Sequence, residues 1–145
     1  MKTIAEFQQL IKECEKIHIG ENCSESIESI DMSGYSGVVE YHPEELVITL
    51  KAGTIITEIE QILNKNNQAL TFYTDNSEQT IGALYASAGA DFADAILGVQ
   101  IINGKGELMN FGGQVMKNVA GYDVSRLLVG SKGHLALITQ LSFKV

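Results

Sequence analysis

A predicted hairpin in the second half of the chain constrains the fold more than any other feature. The turn Asn103-Gly104-Lys105-Gly106 lies between two β-rich segments, Ile96–Ile102 and residues 107–111. Asn-Gly favours tight hairpin turns because both residues tolerate positive φ. The pattern therefore predicts two antiparallel strands, and residues 135–142 predict a further strand along which apolar residues alternate. The residues at this spacing are Leu135, Leu137, Leu141, Phe143 and Val145, with Thr139 as the one polar member.

Two amphipathic helices are predicted in the first half of the chain. Thr3 and Glu6 have the spacing of a capping box, in which each side chain bonds the other residue's backbone N–H. The apolar stripe that follows consists of Ile4, Phe7, Leu10, Ile11 and Cys14. Thr54 is predicted to cap the second helix, whose apolar face consists of Ile55, Ile59, Ile62 and Leu63.

Short β-rich segments separate these helices from the hairpin. The segments are residues 17–19, 37–41, 46–51 and 70–73, and the second and third are joined by His42-Pro43-Glu44-Glu45 in a pattern typical of a hairpin. Helices mixed with antiparallel strands define an α+β fold. The chain has no evident linker or internal repeat, so residues 1–145 are expected to form a single domain.

Composition excludes several classes of function. Of the 145 residues, 45% are hydrophobic and 19% are charged, which is typical of a globular protein rather than a disordered one. The net charge of −8 argues against nucleic acid and anionic membrane surfaces as partners. No apolar run is long enough for membrane insertion, and Glu6, Gln8 and Gln9 interrupt any signal-peptide core. We therefore expect a cytoplasmic location.

Standard catalytic and metal-binding motifs are absent from the sequence. There is no G-x-G-x-x-G after a strand, no Walker A motif, no H-E-x-x-H and no C-x-x-C. The three histidines are far apart, and Cys14 and Cys23 lack metal-site spacing. A Ser-His-Asp arrangement stays open, although no G-x-S-x-G elbow supports it. We predict no catalytic residue and no metal ligand.

Two segments rich in small residues leave two interpretations open. One is TIGALYASAGA at residues 80–90, and the other is residues 117–139, which contain Gly121, Gly130 and Gly133. Small residues allow a helix to pack tightly on a sheet. They also allow backbone N–H groups to approach a phosphate. The residues alone do not decide between a neighbouring backbone and a ligand.

A family resemblance favours the ligand. Residues 112–145, with the run K-N-x-x-G-Y-D and the turn G-S-x-G-x-L, resemble the end of the FAD-binding domain in the vanillyl-alcohol oxidase / p-cresol methylhydroxylase family. The segments ELVITLKAGT, TIGALYASAGA and ILGVQIINGKGEL resemble earlier parts of that domain. The resemblance is strongest to the FAD-binding subunits of bacterial glycolate oxidases.

The resemblance implies a two-lobed FAD-binding domain of the p-cresol methylhydroxylase type, with FAD between the lobes. Lobe one would span about residues 1–50 and lobe two about residues 51–145, with the antiparallel sheet in lobe two. The substrate domain of the family is expected to be absent. No histidine or cysteine occupies a recognisable flavin-attachment position, which implies non-covalent FAD.

Cofactor-binding positions follow from the same resemblance. The first phosphate loop would contain Gly20, Asn22 and Ser24. The second phosphate loop would contain Thr80, Ile81, Gly82, Ser87, Ala88 and Gly89. The adenosine end of FAD would lie against Gly121, Gly133 and Ile138.

Two functions are compatible with these features. The first is an FAD-binding domain or subunit of a flavin-dependent 2-hydroxy-acid oxidoreductase of the glycolate type, which is not catalytic alone and associates with other oxidase subunits. The alternative is a degenerate, FAD-free homologue that acts as a structural or assembly subunit. Departures from the family pattern support the alternative: Glu21 and Glu25 flank the first loop, and Ala83 and Ala136 replace glycines.

Overall fold

The structure, a computed structural model, describes residues 1–13, 17–19, 28–112, 124–131 and 135–145. The helices are α1 (Ile4–Glu13), α2 (Ile56–Asn64), α3 (Ile81–Ser87), α4 (Ala90–Ala93) and α5 (Val124–Leu127). The strands are β1 (Ile17–Ile19), β2 (Glu28–Ile30), β3 (Val38–His42), β4 (Val47–Lys51), β5 (Ile96–Ile102), β6 (Leu108–Gly112) and β7 (Leu137–Lys144). A 3-10 helix, Pro43–Glu45, joins β3 to β4.

A five-stranded sheet with the order β3-β4-β7-β5-β6 forms the centre of the fold, and every neighbouring pair in it is antiparallel. The α+β class and the antiparallel sheet are therefore confirmed. Strands β1 and β2 form a separate parallel pair. Because β3 and β4 belong to the larger sheet, that sheet contains residues on both sides of the expected lobe division near residue 50.

The main hydrophobic core lies between one face of the sheet and helices α2, α3 and α5. Ile48 and Leu50 of β4 pack there with Ile56 and Ile59 of α2, and all four side chains are fully buried. An aromatic cluster extends this core. Its members are Phe72, Tyr85, Phe92 and Phe143, with neighbouring ring centroids 4.6–5.9 Å apart.

A smaller core attaches α1 to the end of the sheet. Phe7 packs edge-on against Tyr35 with ring centroids 5.6 Å apart, and Leu137 joins the same cluster. The predicted capping box is confirmed, because the Thr3 N–H donates to the Glu6 carboxylate and the Glu6 N–H donates to the Thr3 hydroxyl at 3.3 Å.

The prediction that Thr54 caps α2 is wrong. Helix α2 begins at Ile56 with Ile55 in the capping position. The hydroxyl of Thr54, which is almost fully buried, donates to the carbonyl oxygen of Lys51 at 2.7 Å and accepts from the Gly37 N–H at 2.9 Å. Thr54 therefore ties the end of β4 to the residue before β3.

Two further predictions of strand structure are wrong. Residues 70–73 are not a strand: the chain bends at residues 71–72, where Phe72 packs in the aromatic cluster beside Phe92 and Phe143. Leu135 does not continue the buried face of β7, which begins at Leu137. Its side chain is 62% exposed.

Candidate functional site

The amino ends of α2 and α3 lie beside each other and satisfy each other's backbone N–H groups. The Ile56 N–H donates to the Gln79 carbonyl oxygen at 3.1 Å, while the Ile81 N–H donates to the Thr54 carbonyl oxygen at 2.8 Å. Thr80 caps α3 by accepting from the Ala83 N–H at 3.2 Å. The first-turn donors of α3, which an anion would otherwise bind, are therefore engaged within the protein.

Gly82 completes this close packing. Its N–H donates to the Ala52 carbonyl oxygen at 2.8 Å. A Cβ atom added at Gly82 would lie 2.9 Å from both the Cβ and the carbonyl oxygen of Ala52. Any side chain here would displace the backbone that follows β4, so the structure requires glycine at this position for packing.

The carboxyl end of α3, unlike its amino end, leads into an exposed turn. Ser87 is the last helical residue and donates its hydroxyl to the Ala83 carbonyl oxygen at 2.9 Å. Ala88 is extended, with φ −76° and ψ 165°. Gly89 is exposed, and an added Cβ would meet no atom of the described residues within 4 Å. Among the described residues, no acceptor receives a hydrogen bond from the Gly89 N–H.

Tyr85 anchors the helix that leads into this turn. Its side chain is fully buried, and its hydroxyl donates to the Ser125 carbonyl oxygen at 2.5 Å. Its own carbonyl oxygen accepts from the Gly130 N–H at 2.9 Å. Gly130 has φ +76°, and a Cβ there would lie 2.9 Å from the Ala88 carbonyl oxygen. At Gly130, the glycine is therefore required by a neighbouring backbone.

The residues after the turn return to the core at once. Phe92 of α4 is buried and packs edge-on against Tyr85, with ring centroids 5.9 Å apart. The Ala93 N–H donates to the Gly89 carbonyl oxygen at 3.4 Å. Residues 87–89 are thus an exposed turn held between two buried aromatic side chains.

The other predicted positions are not brought to this turn by the described structure. Ile138 lies in β7 with its side chain in the main core, paired with Ile101 of β5. The remaining predicted positions lie outside the described residues: Gly20, Asn22, Ser24, Gly121 and Gly133.

An exposed ion pair joins α5 to the segment after α4. Arg126 of α5 contacts Asp94, which follows α4, at 2.6 Å. In the part of the chain that the structure describes, no cluster of His, Cys, Asp or Glu could hold a metal ion. Every buried side-chain nitrogen and oxygen atom in that part also has a hydrogen-bond partner.

Comparison with known proteins identifies the family. Residues 3–112 match the family described as "FAD binding domain". The chain belongs to this FAD-binding family. The match includes α3 and the exposed turn after it, and FAD is the cofactor that family membership supports.

Individual relatives agree with this assignment. Glycolate oxidase subunit GlcE of Escherichia coli is 41% identical, over 81% of this chain and 37% of its own length. A D-lactate dehydrogenase of Anaerostipes hadrus is 28% identical, over 80% of this chain and 26% of its own length. This chain therefore spans only about a quarter to two fifths of these relatives.

A solved structure confirms the fold. An alkyldihydroxyacetonephosphate synthase superimposes with a TM-score of 0.78 at 21% identity, over 97% of this chain and 29% of that one. In the described residues of this chain, no helix has the length and apolar character needed to cross a bilayer.

The exposed turn meets one requirement of a site that binds the pyrophosphate of a dinucleotide. A pyrophosphate needs backbone or side-chain donors that another protein group does not already occupy. Gly89 meets this requirement, because the residue is exposed and its N–H has no acceptor among the described residues. The Ile81 and Gly82 N–H groups do not meet it.

Sequence reasoning found the turn but missed its supports. Tyr85 and Gly130 hold the end of α3, whereas the sequence pattern indicates Gly130 only as one of several glycines and assigns no role to Tyr85. The available signal was Tyr85 itself, the one large polar side chain within TIGALYASAGA. A buried tyrosine hydroxyl normally requires a partner.

Proposed function

We propose that this chain is the FAD-binding domain, or part of the FAD-binding subunit, of a flavin-dependent 2-hydroxy-acid oxidoreductase of the glycolate type. Membership of the FAD-binding family and the relatives named for glycolate and D-lactate support this function. When bound, FAD supplies the electron chemistry, and the protein supplies binding and orientation. The chain is not catalytic alone in this proposal, since it spans a minority of each relative.

The exposed turn after α3 is the proposed contact with the FAD pyrophosphate. The observation that carries the proposal is at Gly89, an exposed residue whose N–H has no hydrogen-bond acceptor among the described residues. Ser87 and Ala88 flank it. Thr80, Ile81 and Gly82 support the turn by fixing the start of α3, because their own backbone groups are engaged elsewhere.

The test introduces a carboxylate at the proposed phosphate position. Gly89→Asp is sterically compatible with the described structure, since an added Cβ at Gly89 meets none of its atoms within 4 Å. A carboxylate about 4 Å from a phosphate charge costs about 1 kcal/mol in water and about 4 kcal/mol at an effective dielectric near 20. In Gly89→Asp, the FAD dissociation constant should therefore increase by a factor between about five and several hundred. Titration calorimetry and flavin absorbance measure this constant.

Gly104→Asp is the matched control. Gly104 is also exposed, and an added Cβ there also meets nothing within 4 Å. It lies in the β5–β6 turn rather than at the proposed site, so its substitution adds the same charge elsewhere. Equal FAD affinity in the two variants would remove Gly89 from the pyrophosphate contact.

The FAD-free structural subunit is the second candidate function. Engagement of the Ile81 and Gly82 N–H groups within the protein favours it, because two donors of the expected phosphate loop are lost. Colourless purified protein that gives no heat with a large excess of FAD would establish this candidate over the first.

Other oxidase subunits are the proposed partners under either function. Two relatives are themselves named as subunits, GlcE of Escherichia coli and GlcD of Bacillus subtilis. Co-expression of the tagged chain with a GlcD-type subunit tests this, since a stable complex should co-elute on gel filtration. A cytoplasmic location stays a prediction, which fractionation of cells expressing the tagged chain would check.

A further inference from the structure

The carbonyl oxygen of Tyr85 is bonded by a donor from outside its own helix. In an α-helix, the N–H of a residue donates to the carbonyl oxygen four positions earlier, so the helical partner of the Gly89 N–H would be Tyr85. That oxygen instead accepts from the Gly130 N–H at 2.9 Å. Helix α3 ends at Ser87, and the extended Ala88 turns Gly89 away from the helix.

A second contact holds the same two segments together. The buried Tyr85 hydroxyl donates to the carbonyl oxygen of Ser125, a residue of α5 that is itself buried. The segment 124–131 therefore forms hydrogen bonds with both the side chain and the backbone of Tyr85. We call this pair of contacts the Tyr85 clamp.

Only glycine can provide the backbone half of the clamp. Gly130 has φ +76°, where a side chain is strained. An added Cβ would also lie 2.9 Å from the Ala88 carbonyl oxygen. Any other residue at position 130 would push this segment away from the end of α3.

We propose that Gly130 and Tyr85 are positioning residues for FAD, because the Tyr85 clamp keeps the Gly89 N–H out of helix α3 and directs it to the pyrophosphate. This inference rests on the proposed function for its ligand. Its structural half, that the Tyr85 clamp keeps the Gly89 N–H out of α3, concerns the protein without FAD. When the clamp is broken, the Tyr85 carbonyl oxygen becomes available to the Gly89 N–H, and α3 can extend by one residue.

The first test compares Gly130→Ala with Gly106→Ala. Gly106 is a matched control, because it has φ +78° and an added Cβ would also contact neighbours, the Lys12 side chain and the Gln8 carbonyl oxygen. It lies in the β5–β6 turn beside α1. Both variants carry similar backbone strain, of about 1–3 kcal/mol, which is equivalent to about fivefold to 150-fold in an equilibrium constant.

Two measurements separate positioning from general damage. Amide hydrogen exchange of the free protein should slow at Gly89 in Gly130→Ala, since the N–H regains a helical partner, whereas mere loosening would accelerate it. The FAD dissociation constant should rise about tenfold or more in Gly130→Ala. In Gly106→Ala, both the Gly89 exchange rate and the FAD affinity should match the unsubstituted chain within about twofold.

A milder pair of variants keeps the proposal testable if Gly130→Ala does not fold. Tyr85→Phe removes only the hydroxyl half of the clamp and should raise the FAD dissociation constant by roughly threefold to tenfold. Tyr41→Phe removes another tyrosine hydroxyl bond, the one to the Gln68 side chain at 2.5 Å. It should leave FAD affinity unchanged.

The outcomes distinguish this inference from the proposed function. Slower Gly89 exchange together with weaker FAD binding supports both. Unchanged or faster exchange at Gly89 in Gly130→Ala overturns the clamp, and so does equal FAD affinity in Tyr85→Phe and Tyr41→Phe. If the unsubstituted chain binds no FAD, the proposed function fails and the ligand half of this inference fails with it, while Gly89 exchange still decides the structural half.

Discussion

The N–H of Gly82 and the carbonyl oxygen of Ala52 are 2.8 Å apart, and their hydrogen bond joins the start of α3 to the end of β4. The same two residues leave no space for a side chain at position 82. A glycine that the family resemblance places in a phosphate loop is therefore needed for packing inside the protein. This separates two roles within one small-residue segment: its beginning packs and its end faces solvent.

Gly82→Ala should destabilise the fold. A Cβ 2.9 Å from the Ala52 backbone must displace either α3 or the residues after β4, and such overpacking costs about 1–3 kcal/mol. Urea unfolding followed by circular dichroism measures the loss. Gly104→Ala is the control, because the added methyl group meets open space. Equal stability of the two variants would contradict the packing role of Gly82.

Thr54→Val should also destabilise the protein at nearly constant side-chain volume. The substitution removes the hydroxyl that accepts from the Gly37 N–H and donates to the Lys51 carbonyl oxygen. Leaving buried backbone groups unpaired costs about 1–3 kcal/mol. Thr71→Val is the matched control, since the exposed Thr71 hydroxyl makes one long bond of 3.4 Å to the Lys144 carbonyl oxygen. If Thr54→Val lowers the free energy of unfolding no more than Thr71→Val does, the Thr54 hydroxyl does not have this stabilising role.

The Asp31 carboxylate should stabilise the folded protein at neutral pH and lose this effect in acid. The Ser33 N–H at 2.8 Å and the Ser33 hydroxyl at 2.9 Å lower the pKa of Asp31 below its ordinary value of 3.8. Because the folded pKa is the lower one, this stabilisation is present above pH 3.8 and is lost as the pH falls through the folded pKa.

Asp31→Asn should therefore lower the urea midpoint slightly at pH 7 and have less effect as the pH falls below 3.8. The effect is small because the carboxylate is largely exposed. Ser33→Ala, which removes the hydroxyl donor, should show the same trend. A difference between Asp31→Asn and the unsubstituted chain that grows toward low pH would refute this linkage.

The FAD-loaded chain should not turn over glycolate or D-lactate by itself. It spans 37% of GlcE and 26% of the Anaerostipes D-lactate dehydrogenase, and the proposed function assigns substrate binding to other parts of the enzyme. The assay follows bleaching of an artificial electron acceptor, with free FAD as the reference. Turnover above that reference would show that this chain contains its own substrate site.

Local hydrogen bonding explains which elements the sequence predicted. The β5–β6 turn could be predicted because the Asn103 side chain accepts from the Lys105 and Glu107 N–H groups within the turn itself. The capping box of Thr3 and Glu6 is equally local. Both depend on residues at most four positions apart.

Long-range contacts explain what the sequence could not predict. Thr54 has the residue type of a helix cap, but a donor 17 residues earlier engages its hydroxyl. In the candidate site, too, long-range contacts determine the role of each residue. Resemblance identified Gly82 and Gly89 together, whereas only their tertiary neighbours show that one packs against Ala52 and the other is open.

The position of β7 in the sheet affects how the chain can fold as it leaves the ribosome. This strand, the last in the described chain, lies between β4 and β5 and pairs with one strand of each hairpin. Until synthesis has passed Lys144, each hairpin exposes an unpaired inner edge, and such edges are prone to association. Assembly of the main sheet must therefore wait until β7 has been synthesised, and nascent chains that stop before β7 should depend on chaperones.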